Sequence, residues 1–170
     1  SYWIRHLYML SSCTGCWATE YGYKLNLSLE TINAIIQQGK EIDIYMDIYT
    51  GWKPIIRKKT WSESVKFITT VNFCPSPNGT LIDKEFCQKI LRVKNFVPAI
   101  SLEGFADTND IRREESVYQK ITHAMELLKL HKLPFAISVC YTSQNFEDVS
   151  SEAFYDKIID MVALFVWFFH

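Results

Sequence analysis

Residues 95–102, with the sequence NFVPAISL, are apolar at almost every position and predict a buried strand. A helical pattern follows, because apolar residues then recur at the spacing of one helix face. These residues are Val117, Ile121, Ala124, Met125 and Leu128. Residues 135–141, FAISVCY, predict a second strand. A strand, a helix and a strand in this order form a βαβ unit, so the sequence predicts a parallel sheet covered by helices.

The same alternation extends toward both ends of the chain. Further strands are predicted at residues 2–10, 42–50, 70–74 and 164–169, and further helices at 29–39, 60–68, 84–91 and 152–162. The helix at 84–91 is expected to place Phe86, Cys87, Ile90 and Leu91 on one apolar side, and the strand at 164–169 is expected to be buried. Six strands suit a partial barrel, since a closed eight-stranded barrel needs about 250 residues. We therefore expect an α/β fold, a partial TIM-like barrel, with a doubly wound open sheet as the alternative. Either fold places ligands at the carboxyl ends of the strands.

Caps and prolines set the expected limits of these elements. Helix N-caps are predicted at Ser28, Asp83 and either Ser150 or Ser151, and Gly39 is placed to end the first helix. Pro75 and Pro77 are expected to end the strand at 70–74. Pro98 lies inside a strand, which predicts a sheet edge or a bulge there.

Composition limits the class of protein. The chain has 170 residues, of which 48% are apolar, enough for one domain with a single core, expected to span residues 1–170. The net charge of −1 gives no bias toward nucleic acid or an anionic membrane. The longest apolar run, residues 161–169, is far shorter than the ~20 residues of a bilayer-spanning helix. Without a signal-like start, the expected location is the cytoplasm.

Cys13 and Cys16 form the one cysteine pair whose spacing suggests chemistry. They follow the first predicted strand, at the end where the fold places a site. Two thiolates at this spacing can bind one metal ion or cluster, or cycle as a redox pair. The simpler interpretation is that Cys13 and Cys16 are two unreactive cysteines in a loop. A zinc site would need two further ligands, and the four histidines show no ligand spacing. The other cysteines lie in apolar stretches and are expected to pack as small hydrophobic residues.

Five segments together resemble the radical S-adenosylmethionine (AdoMet) enzymes. They are CTGCWATEYG at 13–22, IYTG at 48–51, NGTLID at 78–83, ISLEGF at 100–105 and DIRR at 110–113. The resemblance covers nearly the whole chain, in order and with similar spacing. It implies a partial (β/α)6 barrel, a [4Fe–4S] cluster and AdoMet as cofactors. In that family an electron from the cluster cleaves the AdoMet sulfonium, and the resulting radical abstracts hydrogen from a substrate.

The resemblance also implies roles for particular residues. Cys13 and Cys16 are then the second and third cluster cysteines of a CxxxCxxC loop. The loop after the second strand, Gly51-Trp52-Lys53-Pro54, stands where the GGEP motif receives the cofactor's amino group. Ser101 and Glu103 would face the ribose or methionyl part of AdoMet, and Ser138 would line the same pocket. The implied partners are a small-molecule or peptide substrate and an electron donor such as a flavodoxin or ferredoxin.

The chain departs from the family pattern at two sites. Met9 stands where the first cluster cysteine is expected, and a thioether lacks the negative charge of a thiolate. In the GGEP loop, Trp52 replaces a glycine and Lys53 replaces a glutamate, which reverses the charge offered to an ammonium group. The sequence thus predicts a radical AdoMet protein with impaired cofactor binding. The alternatives are a non-catalytic barrel that binds a partner or a nucleotide-like ligand, and a zinc or redox protein.

Arg112 and Arg113 form a basic pair near an expected helix start. Such a pair can bind a carboxylate or phosphate, but an exposed pair is more often a solvated face or part of an ion pair. Glu103 at a strand end must be solvated or paired. The short basic run at residues 57–59 lacks interleaved aromatic residues, so no nucleic-acid partner is expected.

Overall fold

Five strands and six helices make up the residues that the computed structural model describes, 28–48, 71–76, 82–113 and 115–169. The strands are β1 (Met46–Ile48), β2 (Val71–Ser76), β3 (Phe96–Ser101), β4 (Ala136–Cys140) and β5 (Val166–Phe169). The helices are α1 (Leu29–Glu41), α2 (Lys84–Val93), α3 (Ala106–Arg113), α4 (Val117–Leu130), α5 (Phe146–Val149) and α6 (Glu152–Asp160).

The order of the strands decides between the two predicted architectures. Every described strand pairs in parallel with the next strand along the chain, so the sheet order is β1-β2-β3-β4-β5. A doubly wound sheet would reverse direction at a switch point, whereas a barrel wall adds its strands in sequence. The fold is therefore α/β with part of a barrel wall. The strand predicted at 2–10 and the helix predicted at 60–68 lie outside the described residues.

The predicted helix starts are confirmed by the capping bonds. Ser28, Asp83 and Ser151 each accept a hydrogen bond from the backbone N–H three residues later, at 3.2, 2.7 and 3.2 Å. Of the two serines predicted for the last helix, Ser151 is the cap. The first helix runs two residues past Gly39, and residues 42–45 turn before β1 begins, so the strand predicted at 42–50 starts later than expected.

The apolar stripe of α4 forms the centre of the core, as predicted. All five of its residues are at most 4% exposed. They join one hydrophobic cluster with Ile100 of β3 and Ile137 of β4, so these two side chains point toward the helices. Because side chains alternate along a strand, the neighbouring residues of β3 and β4 point to the opposite face. That face is where the sheet can present groups to a ligand.

Pro98 contradicts the expectation of an edge or a bulge, because β3 lies between β2 and β4. Its position in the ladder explains why a proline is tolerated. The Leu102 N–H donates to the Ser138 carbonyl in β4. Backbone nitrogens alternate in direction along a strand, so every second residue before Leu102, including Pro98, directs its nitrogen toward β4. The β3–β4 register begins only at Ala99, opposite Ala136. The missing N–H of Pro98 therefore falls before the ladder starts.

Three further expectations are corrected. Pro75 lies within β2 and is paired in register with Ala99, rather than ending the strand. Leu91 of α2 is exposed, because it turns away from the buried face of that helix. The last strand is not buried: Phe168 and Phe169 are more than a third exposed. Among the described strands β5 pairs only with β4, so one of its sides has no neighbouring strand there.

Helix α3 was not predicted, and its composition explains why. It carries no apolar stripe, and its one large apolar residue, Ile111, is 75% exposed. The buried residues of α3 are polar, Asn109 and Arg113. Hydrophobic periodicity therefore gives no signal for this helix, because polar contacts fix it to the sheet.

Two of the cysteines differ in environment. Burial raises the pKa of the Cys87 thiol, and the Asp83 carboxylate acts in the same direction. Cys87 thus stays neutral and packs as a small apolar residue, as predicted. Cys140 is only half-buried and accepts a hydrogen bond from Arg112, so its surroundings are polar. Over the ranges that the structure covers, no helix combines the length and the apolar character needed to cross a bilayer.

Replacing a residue of the α4 stripe tests the position of the core. We expect Ile121→Ala to lower the free energy of unfolding by about 3 kcal/mol, because it leaves a cavity among fully buried side chains. Leu130→Ala is the matched control on the same helix, since Leu130 is 74% exposed, and it should change stability by less than about 0.5 kcal/mol. Urea unfolding measures both, and equal losses would contradict this packing.

Candidate functional site

Two serines mark the site, Ser101 at the carboxyl end of β3 and Ser138 in the middle of β4. Ser101 and Ser138 are paired in register, so their side chains lie side by side on the face that points away from the helices. They are 7% and 8% exposed. Ala99 and Ala136, the pair before them on the same face, have small side chains. This part of the barrel wall offers two hydroxyl groups flanked by small side chains.

The ladder between β3 and β4 ends just after this pair. Its last backbone bond runs from the Leu102 N–H to the Ser138 carbonyl, at 3.0 Å. In a regular parallel ladder the next bond would join the Cys140 N–H to the Leu102 carbonyl. Instead, the Cys140 N–H donates to Glu103 Oε2, at 3.0 Å. A side-chain carboxylate thus takes the place of a backbone carbonyl, and the two strand ends are linked through Glu103.

Glu103 is 1% exposed, and both of its carboxylate oxygens are occupied. Arg113 Nη2 donates to Oε1, and Arg112 Nη1 donates to Oε2 at 3.2 Å. Arg112 also donates to the Cys140 carbonyl at 2.8 Å and to the Cys140 Sγ at 3.1 Å. Burying a carboxylate is costly unless it is paired and hydrogen-bonded, and here two guanidinium groups and one amide compensate it. The arginine pair is therefore part of an ion pair, one of its two predicted structural roles.

Asn145 joins the same strand ends from the other side. Its Nδ2 donates to the carbonyls of Glu103 and Cys140, both at 3.0 Å. Its Oδ1 accepts from the Thr142 N–H at 2.6 Å, which fixes the loop after β4. Asn109 of α3 completes the group, because its Oδ1 accepts from the Glu103 N–H at 3.1 Å. Both asparagine side chains are buried, and their bonds to the backbone of Glu103 are shielded from water.

Gly104 allows the chain to turn from β3 into α3. Its φ is +137°, a conformation that side-chain-bearing residues rarely adopt. A Cβ at this position would lie 2.8 Å from Asp148 Oδ2 and 3.1 Å from the Thr108 Cβ. Asp148 approaches this closely because its Oδ2 accepts the Phe105 N–H, at 3.1 Å, beside the first turn of α3. The glycine is therefore required by both backbone angle and space.

A second carboxylate organises the turn between α3 and α4. Asp110 accepts from the Ser116 N–H at 2.9 Å and from the Tyr118 N–H at 2.8 Å. It thereby takes over the capping that the Ser116 side chain does not provide. Ser116 itself has a φ of +63°, which suits a glycine better than a serine.

An aromatic pair lies beside the two serines on β5. Trp167 is in register with Ser138 and Phe169 with Cys140, so both rings belong to the same face as the serine hydroxyls. The two rings stack with centroids 5.1 Å apart and planes tilted by 22°. The face that holds the serines thus ends in a planar apolar surface.

The structure brings together three of the predicted site residues, Ser101, Glu103 and Ser138. Their proposed contacts with AdoMet stay predictions, and the Glu103 carboxylate already binds two arginines and one amide. The remaining predicted residues lie outside the described ones: Cys13, Cys16, Gly51, Trp52, Lys53 and Pro54. Sequence reasoning missed Cys140, Asn109 and Asn145. The charged residues offered one signal for this polar network. Glu103 lies at the end of an apolar strand, and an arginine pair follows it one short helix later.

Comparison with known proteins supplies the family. The model of the radical SAM superfamily matches residues 11–153. The chain belongs to this superfamily. No curated protein matches the chain significantly. The radical SAM assignment agrees with the resemblance in the five sequence segments.

Solved structures agree with the radical SAM fold. Native anSMEcpe with bound AdoMet has a TM-score of 0.71 at 19% identity, over 93% of this chain and 47% of that one. Streptococcus suis SuiB bound to S-adenosylmethionine has a TM-score of 0.76 at 16% identity, over 98% and 38%. SuiB bound to precursor peptide SuiA has a TM-score of 0.78 at 16% identity, over the same shares. These likenesses confirm the predicted partial barrel. The chain spans less than half the length of these structures.

Two glycine substitutions test the geometry at the start of α3. Gly104→Ala should lower the free energy of unfolding by about 2–4 kcal/mol, because the alanine is strained at this φ and collides with Asp148. Gly39→Ala is the matched control: a Cβ there meets only Ile44, at 3.6 Å, and alanine favours a helix by about 0.5–1 kcal/mol. Thermal and urea unfolding measure both changes. Equal effects of the same sign would contradict the described turn.

Proposed function

We propose that this protein is a radical SAM protein that binds AdoMet on the inner face of its sheet, at the carboxyl ends of β3 and β4. The observation that carries the proposal is the Ser101–Ser138 pair, two neighbouring hydroxyls that lie beside the small side chains of Ala99 and Ala136. Small side chains leave space for a nucleoside, and hydroxyls supply hydrogen bonds to a ribose or carboxylate. The stacked rings of Trp167 and Phe169 add a planar surface beside them.

The residues at the three expected ligand positions suit a [4Fe–4S] cluster only in part. Cys13 and Cys16 supply two thiolates at a spacing that suits one iron–sulfur cluster. Met9 stands at the first of the three cysteine positions, and a neutral thioether does not replace an anionic thiolate there. In this family a bound [4Fe–4S] cluster supplies the electron that cleaves AdoMet, which starts hydrogen abstraction from the substrate. With two thiolates of three, we expect this chain to bind the cluster weakly.

The residues of this chain have separate parts in the proposed site. Ser101 and Ser138 bind the ribose or methionyl groups of AdoMet, and the Glu103–Arg112–Arg113 group keeps the strand ends in place. The segment Gly51-Trp52-Lys53-Pro54 corresponds in sequence to the family's loop that receives the cofactor's amino group. Lys53 repels an ammonium group there, so we expect weaker AdoMet binding than a glutamate would give.

The proposed substrate is a small molecule or a peptide. Support for a peptide comes from the relatives, since anSMEcpe is described with AdoMet and the Cp18Cys peptide and SuiB with its precursor peptide SuiA. An electron donor such as a flavodoxin or ferredoxin is proposed for an active form. We also propose that residues 1–170 form a single domain.

Met9 and Lys53 favour a second candidate function, a barrel that binds AdoMet or a similar nucleotide without catalysing its cleavage. Both substitutions act against cluster and amino-group binding, while the serine pair on the sheet does not depend on either. The two candidates therefore differ in iron content and AdoMet cleavage, and share nucleotide binding.

Anaerobic reconstitution with iron and sulfide tests the proposal. We expect the natural chain to take up well under the four irons of a full cluster, and Met9→Cys to raise uptake toward about four per chain. Deoxyadenosine should then form under reduction. Cys16→Ala in the Met9→Cys background is the control and should abolish uptake. Iron content, the visible absorption band and product chromatography are the measurements.

The remaining outcomes separate the rival functions. No iron uptake by Met9→Cys, with AdoMet still bound, would favour the non-catalytic barrel. One zinc per chain, lost on Cys13→Ser, would favour a zinc protein and contradict the radical SAM chemistry. Lack of AdoMet binding in both the natural chain and Met9→Cys would contradict the proposed site itself.

A further inference from the structure

Asn145 has no role in the proposed function so far, yet it is 3% exposed and uses its whole amide group. It lies directly before α5, in the loop that follows β4. Its three main bonds reach the Glu103 carbonyl, the Cys140 carbonyl and the Thr142 N–H. A fourth contact joins its Oδ1 to the Thr142 hydroxyl, at 3.2 Å. One side chain thus connects the second residue after β3, the end of β4 and the following loop.

The place of these bonds matters because the backbone ladder has already ended. After the Leu102–Ser138 bond, the two strand ends are held by side chains, by Glu103 to the Cys140 N–H and by Asn145 to the Cys140 carbonyl. A side-chain link needs an exact amide orientation, because donor and acceptor atoms are fixed on one planar group. The spacing of the strand ends therefore depends on the Asn145 amide.

We propose that Asn145 is a positioning residue of the AdoMet site, which sets the separation of the β3 and β4 ends and thereby the placement of Ser101 and Ser138. This inference rests on the proposed function. Asn145 acts through the backbone of Glu103 and Cys140 and does not touch the cofactor.

Two substitutions at Asn145 separate positioning from simple stability. Asn145→Asp keeps the size and the acceptor for the Thr142 N–H, but it sets an oxygen against the carbonyls of Glu103 and Cys140. Asn145→Ala removes all of the bonds. Ile158→Ala is the matched control, because Ile158 of α6 is buried in the core and has no part in the site. We expect all three variants to lose stability, so stability alone does not distinguish them.

Calorimetric titration with AdoMet is the decisive readout. We expect both Asn145 variants to bind AdoMet about tenfold more weakly than the natural chain, the effect of one misplaced hydrogen bond. Ile158→Ala should bind within about twofold of the natural chain. Equal affinity of the Asn145 variants and the natural chain would overturn the positioning role while leaving the proposed function intact. No AdoMet binding by the natural chain would overturn both.

Hydrogen exchange of the natural chain provides a test that needs no variant. AdoMet should slow exchange of the Cys140 and Thr142 amides, because a ligand held between the strand ends stabilises their links. The Ala124 amide in the middle of α4 serves as the internal reference. Unchanged exchange at Cys140 and Thr142 under saturating AdoMet would contradict the inference.

Discussion

A buried carboxylate shared by two guanidinium groups holds the functional end of this fold together. Glu103 reaches Arg112 and Arg113 from the end of β3, and it also accepts the backbone amide of Cys140 in β4. The group therefore connects two strands and one helix at a point where no backbone ladder does so. A single removed partner would leave uncompensated charge in a dry environment, which typically costs about 3–5 kcal/mol.

The elements built on apolar periodicity could be predicted from the sequence, and those built on polar contacts could not. The α4 stripe and the caps Ser28 and Asp83 are local signals, and the structure confirms them. Helix α3 has no such signal, since its contacts with the sheet run through Asn109 and Arg113. The exposure of β5 was also beyond prediction, because burial of an apolar strand depends on its neighbours in the sheet.

The candidate site was predictable to a similar degree. Ser101, Glu103 and Ser138 were implied by the family resemblance, which agrees with the rule that parallel strands present ligand-binding groups at their carboxyl ends. The pairing of Glu103 with the arginines, and the link through Asn145, depend on turns whose geometry no periodicity encodes. Family membership adds the expected cofactors. Met9 and Lys53 depart from the family pattern. The question they raise is whether this chain binds AdoMet without catalysing its cleavage.

The most direct test of this account is a double-mutant cycle between Glu103 and Arg113, measured by urea unfolding of Glu103→Gln, Arg113→Gln and the double variant. The account predicts a coupling free energy of about 2 kcal/mol or more, because each group is buried and compensates the other. Additive losses, with a coupling below about 0.5 kcal/mol, would contradict it.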